Sequence, residues 1–144
     1  MIRMSIAVLL GVSCIGAMAQ MTPVGLWKTI SDKDGSVTSE VRIVDTAGVL
    51  SGKIERRLDP KAKPEDLCTE CGDERKNKPL IGLEIIRGAK KDGGNDVWEG
   101  GKILDPGNGK NYTLKLTPIE GGKKLEVRGS VFGIGRTQTW VRAQ

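Results

Sequence analysis

Residues 97–116, VWEGGKILDPGNGKNYTLKL, carry the reading that decides the fold. Their centre, Asp105-Pro106-Gly107-Asn108-Gly109, is dense in turn formers, and Asn108-Gly109 supplies two residues that tolerate positive φ. Beyond it Tyr112, Leu114 and Leu116 alternate with Thr113, Lys115 and Thr117, the period-2 mark of a half-buried strand. The stretch is a β-hairpin by this pattern.

The same unit recurs on both sides. Before the hairpin, strands are expected over 25–30, 37–44, 49–56 and 80–87, with turns at Asp34-Gly35, at Asp45 to Gly48 and over 88–96. Val41 and Ile43 share one face of the second strand, and Leu50, Gly52 and Ile54 share one face of the third. Gly52 inside a strand marks a bulge, a bend or a close backbone approach. After the hairpin come a turn at Gly121-Gly122, a strand over 125–131 with Leu125, Val127, Gly129 and Val131 inward, a turn at Gly133-Ile134-Gly135, and a last strand over 137–142. No stretch has the 3.6-residue periodicity of an amphipathic helix.

Eight short strands joined by tight turns favour an all-β, antiparallel, up-and-down barrel over a sandwich with long crossovers. Closure removes exposed sheet edges, and a barrel of this size is either filled by side chains or holds one small ligand. Gly52, Gly82, Gly100, Gly101 and Gly129 are expected to ease the coiling. Residues 57–79 interrupt the rhythm with Pro60, Pro64 and Pro79 and many charges. A loop this long, between the third and fourth strands, is functional or pinned.

The 144 residues suffice for one domain. Residues 1–19 read as a secretory signal peptide: Arg3 is the positive region, Ile6 to Ile15 the apolar core, and Ala17-Met18-Ala19 the cleavage pattern. Cleavage before Gln20 leaves residues 20–144 as the barrel domain, exported to the periplasm or beyond. Cys14 raises a lipoprotein reading, but Gly11 stands where a lipobox normally has Leu. No later run is apolar enough to span a bilayer as a helix.

Histidine is absent, which removes the Ser-His and Cys-His triads and the commonest metal ligand. The net charge of +5 falls by one when Arg3 leaves with the leader. The nearest basic cluster, Arg75, Lys76 and Lys78, lacks neighbouring aromatics for base stacking, so nucleic acid is not the expected partner.

Cys68-Thr69-Glu70-Cys71 is the sharpest chemical feature. In an exported protein the pair is expected to oxidise to a disulfide that pins the long loop. A thioredoxin-like redox site and a metal pair are the alternatives. The first wants a helix N-terminus and no acids, whereas Asp73 and Glu74 follow. The second wants four ligands for zinc. The strand carboxylates Glu40, Glu55, Glu84, Glu99 and Glu126 mostly alternate with apolar residues and so face solvent rather than forming a catalytic acid pair. Asp105 and Asn108 lack the alternate-position spacing of a calcium loop. No catalytic residue, metal or cofactor is assigned. Trp98 and Tyr112, with Leu114 and Val127, are the candidates to line a cavity, although scarce aromatics also serve as core plugs.

Gly25-x-Trp27 on the first strand and Arg142 on the last resemble the closing pair of lipocalin-like barrels. There the Trp packs at the closed end and the Arg lies across it. Four further motifs occur in order: Pro79-Leu80-Ile81-Gly82-Leu83; Trp98-x-Gly100-Gly101-Lys102-Ile103-x-Asp105-Pro106-x-x-Gly109-Lys110-x-Tyr112; Leu125-x-Val127-Arg128-Gly129; and Gly135-Arg136-Thr137-Gln138-Thr139-Trp140-x-Arg142. Over residues 24–142 the chain resembles the bacterial secreted family known as domain of unknown function 2147. The resemblance implies an exported lipocalin-like (calycin-like) barrel and supplies no catalytic residues. The family brings no established activity; by analogy of fold, the function expected is non-enzymatic binding of a small apolar or amphipathic, lipophilic ligand. The alternative is an envelope protein with a filled barrel that acts through its surface loops. No protein partner is named by either.

Overall fold

A computed structural model describes residues 21–143, so the signal peptide expected over residues 1–19 lies outside the described residues. Eight strands follow in order: β1 (Gly25–Ile30), β2 (Val37–Thr46), β3 (Val49–Arg57), β4 (Glu84–Lys91), β5 (Trp98–Asp105), β6 (Lys110–Ile119), β7 (Lys124–Val131) and β8 (Ile134–Arg142). Each pairs antiparallel with the next, and β8 returns to β1, so the sheet closes as an up-and-down barrel. The closing seam is short: Trp27↔Arg142 and Lys28↔Val141 pair across it, and Ala143 N donates to Leu26 O (2.8 Å) beyond them. One 3-10 turn, Glu120–Gly122, joins β6 to β7.

Up-and-down order puts the start of β1, the end of β8 and the β2–β3, β4–β5 and β6–β7 turns at one end. The other four connections sit at the opposite end. The first end is filled. Trp27, Val41, Ile43, Leu50, Ile86, Leu116 and Leu125 are all fully buried there, on the alternate positions that period-2 patterning selects. Gly52 is a close approach: a Cβ added to it would lie 3.1 Å from Ile86 Cβ and 3.4 Å from Ile43 Cγ1.

Several expectations need correction. The fourth strand begins at Glu84, not Leu80. Residues 80–83 instead form a turn, Leu83 N donating to Leu80 O (3.2 Å), that meets the side of β3 through Gly82 N to Ile54 O (2.7 Å) and Ile54 N to Leu83 O (3.0 Å). Gly82, at φ +88°, therefore makes a turn and does not ease strand coiling. The last strand starts at Ile134, because Phe132 and Gly133 both adopt positive φ and make the two-residue turn themselves. Val131 is consequently 43% exposed rather than inward. Glu40 is buried rather than solvent-exposed, although it keeps to the outer face of β2, paired with Lys28 and Arg56 while Val41 faces Trp27. Its carboxylate meets Arg56 at 3.4 Å.

The long loop is a packed structure. Cys68 and Cys71 form a disulfide, and both are buried. Arg75 is not part of a basic surface cluster: it is only 6% exposed. Its guanidinium donates to Asp73, to Glu84 O (2.9 Å) and to Asn111 Oδ1 (3.0 Å), which ties the loop to β4 and β6. Gly109 of the β5–β6 turn lies directly against the backbone of Glu70 and Cys71.

Candidate functional site: the open half of the barrel

Away from the filled end the barrel is hollow. A cavity of about 640 Å³ opens between the β1–β2, β3–β4, β5–β6 and β7–β8 connections. Pockets of roughly 300–1,000 Å³ are the usual size for a small-molecule site. Its floor includes Trp140, two residues before Arg142 on the same face of β8.

The two walls differ. From β3 through β2 and β1 to β8 the polar lining is gathered, Arg57, Thr38, Ser39, Thr29, Gln138 and Arg136, with Ile54 and Ile134 as apolar members at its two sides. Ser39 pairs with Arg57 on one side and with Thr29 on the other. Thr38 is the extra residue where the β1–β2 register slips between Thr29 and Ile30. The slip brings both neighbours onto Thr29, whose Oγ1 lies 2.7 Å from Thr38 Oγ1 and 2.7 Å from Ser39 Oγ. On β8, Trp140 Nε1 donates to Gln138 Oε1 (3.2 Å), and Gln138 Nε2 donates to Asp32 Oδ2 (3.1 Å). Arg136 also reaches Asp32 Oδ2, at 3.1 Å. These side-chain bonds lace β8 to the β1–β2 turn where the two strands no longer pair.

The wall from β5 to β7 is mainly apolar, with Ile103, Tyr112 and Val127 on it and Asp105 at its rim. Gly129 makes room there: a Cβ added to it would lie 3.2 Å from Tyr112 Cβ and 3.5 Å from Ile103 Cγ2. The Tyr112 hydroxyl accepts from Asn108 Nδ2 (3.0 Å), so the phenol reaches the turn at the mouth.

Of the four cavity candidates, Tyr112 and Val127 lie on the lining; Trp98 and Leu114 do not. Trp98 pairs with Leu116 towards the filled end, with Lys91 Nζ 5.5 Å from its ring centroid, and Leu114 is fully buried in the core. Sequence reasoning missed Trp140, Gln138 and the Thr29, Thr38 and Ser39 hydroxyls. Parity held the signal for three of them: counting back by twos from Arg142 reaches Trp140 and Gln138, and counting on by two from Trp27 reaches Thr29.

At the filled end Gly25 opens β1 at φ +135°, and Arg142 lies over the Trp27 ring, 4.2 Å from its centroid. Trp27 Nε1 donates to Pro23 O at 2.7 Å. Arg142 donates to Gly122 O (2.6 Å), Val24 O (2.7 Å) and Thr22 O (2.7 Å). Burial lowers the Arg142 pKa from its ordinary value.

The Cys68–Cys71 sulfurs sit in the core cluster at the loop's base. A buried disulfide offers no access to an attacking thiolate, which disfavours exchange chemistry there. Among the described residues no three His, Cys, Asp or Glu side chains gather as a metal site. Nor is any described helix long and apolar enough to cross a membrane.

No curated protein matches this sequence. Among solved structures, protein HP1028 from the human pathogen Helicobacter pylori, described as belonging to the lipocalin family, aligns with a TM-score of 0.71 at 20% identity. The alignment covers 84% of this chain and 82% of that one. At that identity the likeness is one of fold: the chain is a lipocalin-like barrel. The model of the family described as uncharacterised proteins conserved in bacteria, domain of unknown function 2147, matches residues 25–142, and the chain belongs to that family.

Proposed function

We propose that this chain is an exported binding protein that holds one small apolar or amphipathic molecule in the open half of its barrel. The carrying observation is the cavity of about 640 Å³, floored by Trp140 and walled on one side by Ile103, Tyr112 and Val127. The alternative of a filled barrel acting through its surface is not favoured by a cavity of that size. Export to the periplasm or beyond is supported by the leader pattern of residues 1–19 and by the Cys68–Cys71 disulfide, a bond that persists in oxidising compartments. We read the chain as a binder rather than an enzyme because its fold builds a container and its sequence lacks histidine.

Native mass spectrometry of protein purified from its own host tests the reading, together with uptake of a lipophilic fluorescent dye. A retained small mass, or dye binding that Val127→Trp weakens about tenfold by filling the cavity, is the expected result. A bare protein mass with no dye uptake would overturn it.

A further inference from the structure

The unlike walls of the cavity say what kind of molecule fits between them. The polar wall is rich in donors. A guanidinium has five N–H groups. Among the described residues Arg57 engages Asp66 through Nη1 alone (2.6 Å), and Arg136 engages Asp32 through Nε alone (3.1 Å). Arg136 is also largely exposed at the mouth, its side chain 72% accessible.

Between them stand the three hydroxyls. Two of their protons suffice for the Thr29–Thr38 and Thr29–Ser39 bonds. The third has only long backbone acceptors within reach, Ser39 O or Thr29 O at 3.4 Å. The hydroxyls can donate or accept, and the strongest acceptor among the uncharged groups is engaged. Gln138 Oε1 receives the Trp140 indole N–H. Two acids also line the cavity, away from the Thr29 hydroxyl cluster, each with one oxygen held in its own turn: Asp59 Oδ1 accepts Lys61 N (2.9 Å) and Asp105 Oδ1 accepts Gly107 N (2.8 Å). Spare donors on one side and hydrocarbon on the other suit a molecule with an acceptor-only head and an apolar body.

We propose that the cavity takes an amphiphile with an oxyanion head, a carboxylate or a phosphate. The head rests on the wall between Arg57 and Arg136, and the hydrocarbon packs on Ile103, Tyr112 and Val127. This rests on the reading of the open half as a ligand site. Charge-assisted bonds from guanidinium to oxyanion are the stronger class, and their planar fork matches both heads.

The test compares dodecanoate, dodecyl phosphate, dodecanol and dodecyltrimethylammonium by calorimetric titration of the intact mature protein, below their aggregation concentrations. The oxyanions are expected to bind about tenfold or more tightly than dodecanol. Arg136→Gln, which removes an exposed side chain, should cost them about tenfold and leave dodecanol unchanged. A preference for dodecanoate points to a free fatty acid, and one for dodecyl phosphate to a lipid phosphate; both support the proposal. Equal binding of dodecanol and the oxyanions, or tightest binding of the ammonium, overturns the head-group assignment while ligand binding itself stands. If none of the four binds, the container reading falls, and this inference falls with it. The comparison on the unaltered protein decides the matter even if Arg136→Gln folds poorly.

Discussion

The Arg142 guanidinium covers the Trp27 indole at 4.2 Å, and these two residues also face each other in the register that closes the barrel. The stacking contact is worth about 0.5–2 kcal/mol. The hydrogen bonds matter more. One side chain collects the carbonyls of Thr22, Val24 and Gly122, from the segment just before β1 and from the β6–β7 turn. It therefore substitutes for the backbone pairing that the two-residue seam lacks. Arg142→Gln is expected to destabilise the fold by roughly 3 kcal/mol, because carbonyls lose a charged donor in a desolvated place. Arg142→Lys keeps the charge but not the fork and should recover less than half of that loss. Urea denaturation of the two variants measures both. A loss below about 0.5 kcal/mol for the glutamine variant would show that the seam closes without it.

Acid should loosen the long loop before the barrel. The Arg75 side chain, then its backbone N–H, holds the Asp73 carboxyl at about 2, down from 3.8. The backbone N–H of Lys63, followed by Arg57, lowers Asp66, and the Arg87 side chain lowers Glu74. Each folded value lies below its unfolded one. The unfolded chain thus takes up protons first, and the contribution present above about pH 4 is lost as pH falls towards 2. The denaturation midpoint should decline across that window, and Asp73→Asn should flatten the decline while lowering stability at neutral pH. An equally steep decline in the variant would assign the acid sensitivity elsewhere.

What was legible in the sequence follows from the physics of each feature. Hairpins are local: Asn108-Gly109 and the alternation of Tyr112, Leu114 and Leu116 lie within one window, so strand count and connectivity could be read. Parity is local too, but a slipped register defeats it. Thr38 reaches Thr29 only because of the β1–β2 slip, and Glu40, on the outer face beside Lys28 and Arg56 as alternation says, is buried there by cover that alternation does not count. The long loop depends on distant partners. Arg75 sits in a run of cations, and nothing nearby in sequence announces that Asn111 and the Glu84 carbonyl await it. Leu80 to Leu83 have strand composition, yet Gly82 turns them back onto Ile54. Alternation also says which face points in, not how much space remains, so the hollow above Trp140 had no local signature.

Two turn glycines separate backbone conformation from close packing. Gly109 and Gly133 both have positive φ, +74° and +77°. A Cβ on Gly109 would fall 1.8 Å from Glu70 O, whereas one on Gly133 would meet nothing within 4 Å. Gly133→Ala should cost only the left-handed backbone penalty, about 1–2 kcal/mol. Gly109→Ala adds a clash with backbone that cannot rotate away, for a total of roughly 3 kcal/mol or more. It should also lift the Cys68–Cys71 segment off the β5–β6 turn. Limited proteolysis detects that as new cleavage within residues 58–83 in Gly109→Ala and not in Gly133→Ala. Equal losses in the two variants would mean that the loop does not depend on this contact.

Phe132 violates two local rules at once. It occupies a φ of +52°, a region that suits Gly or Asn, and its side chain is 99% exposed. Ile134, two residues on, is 83% exposed on the same tip. Neither side chain contributes burial to the barrel. Phe132→Asn should therefore stabilise the protein, by about 0.5–1 kcal/mol, since asparagine tolerates the left-handed conformation that this two-residue turn demands. The unfolding temperature should rise by a few degrees, on the scale of about 2–8 °C per kcal/mol for domains near this size. Phe132→Leu, which keeps an exposed apolar side chain at the same φ, should give no such gain. Calorimetry of both variants checks the pair. A destabilised Phe132→Asn would show that the ring makes stabilising contacts in solution after all.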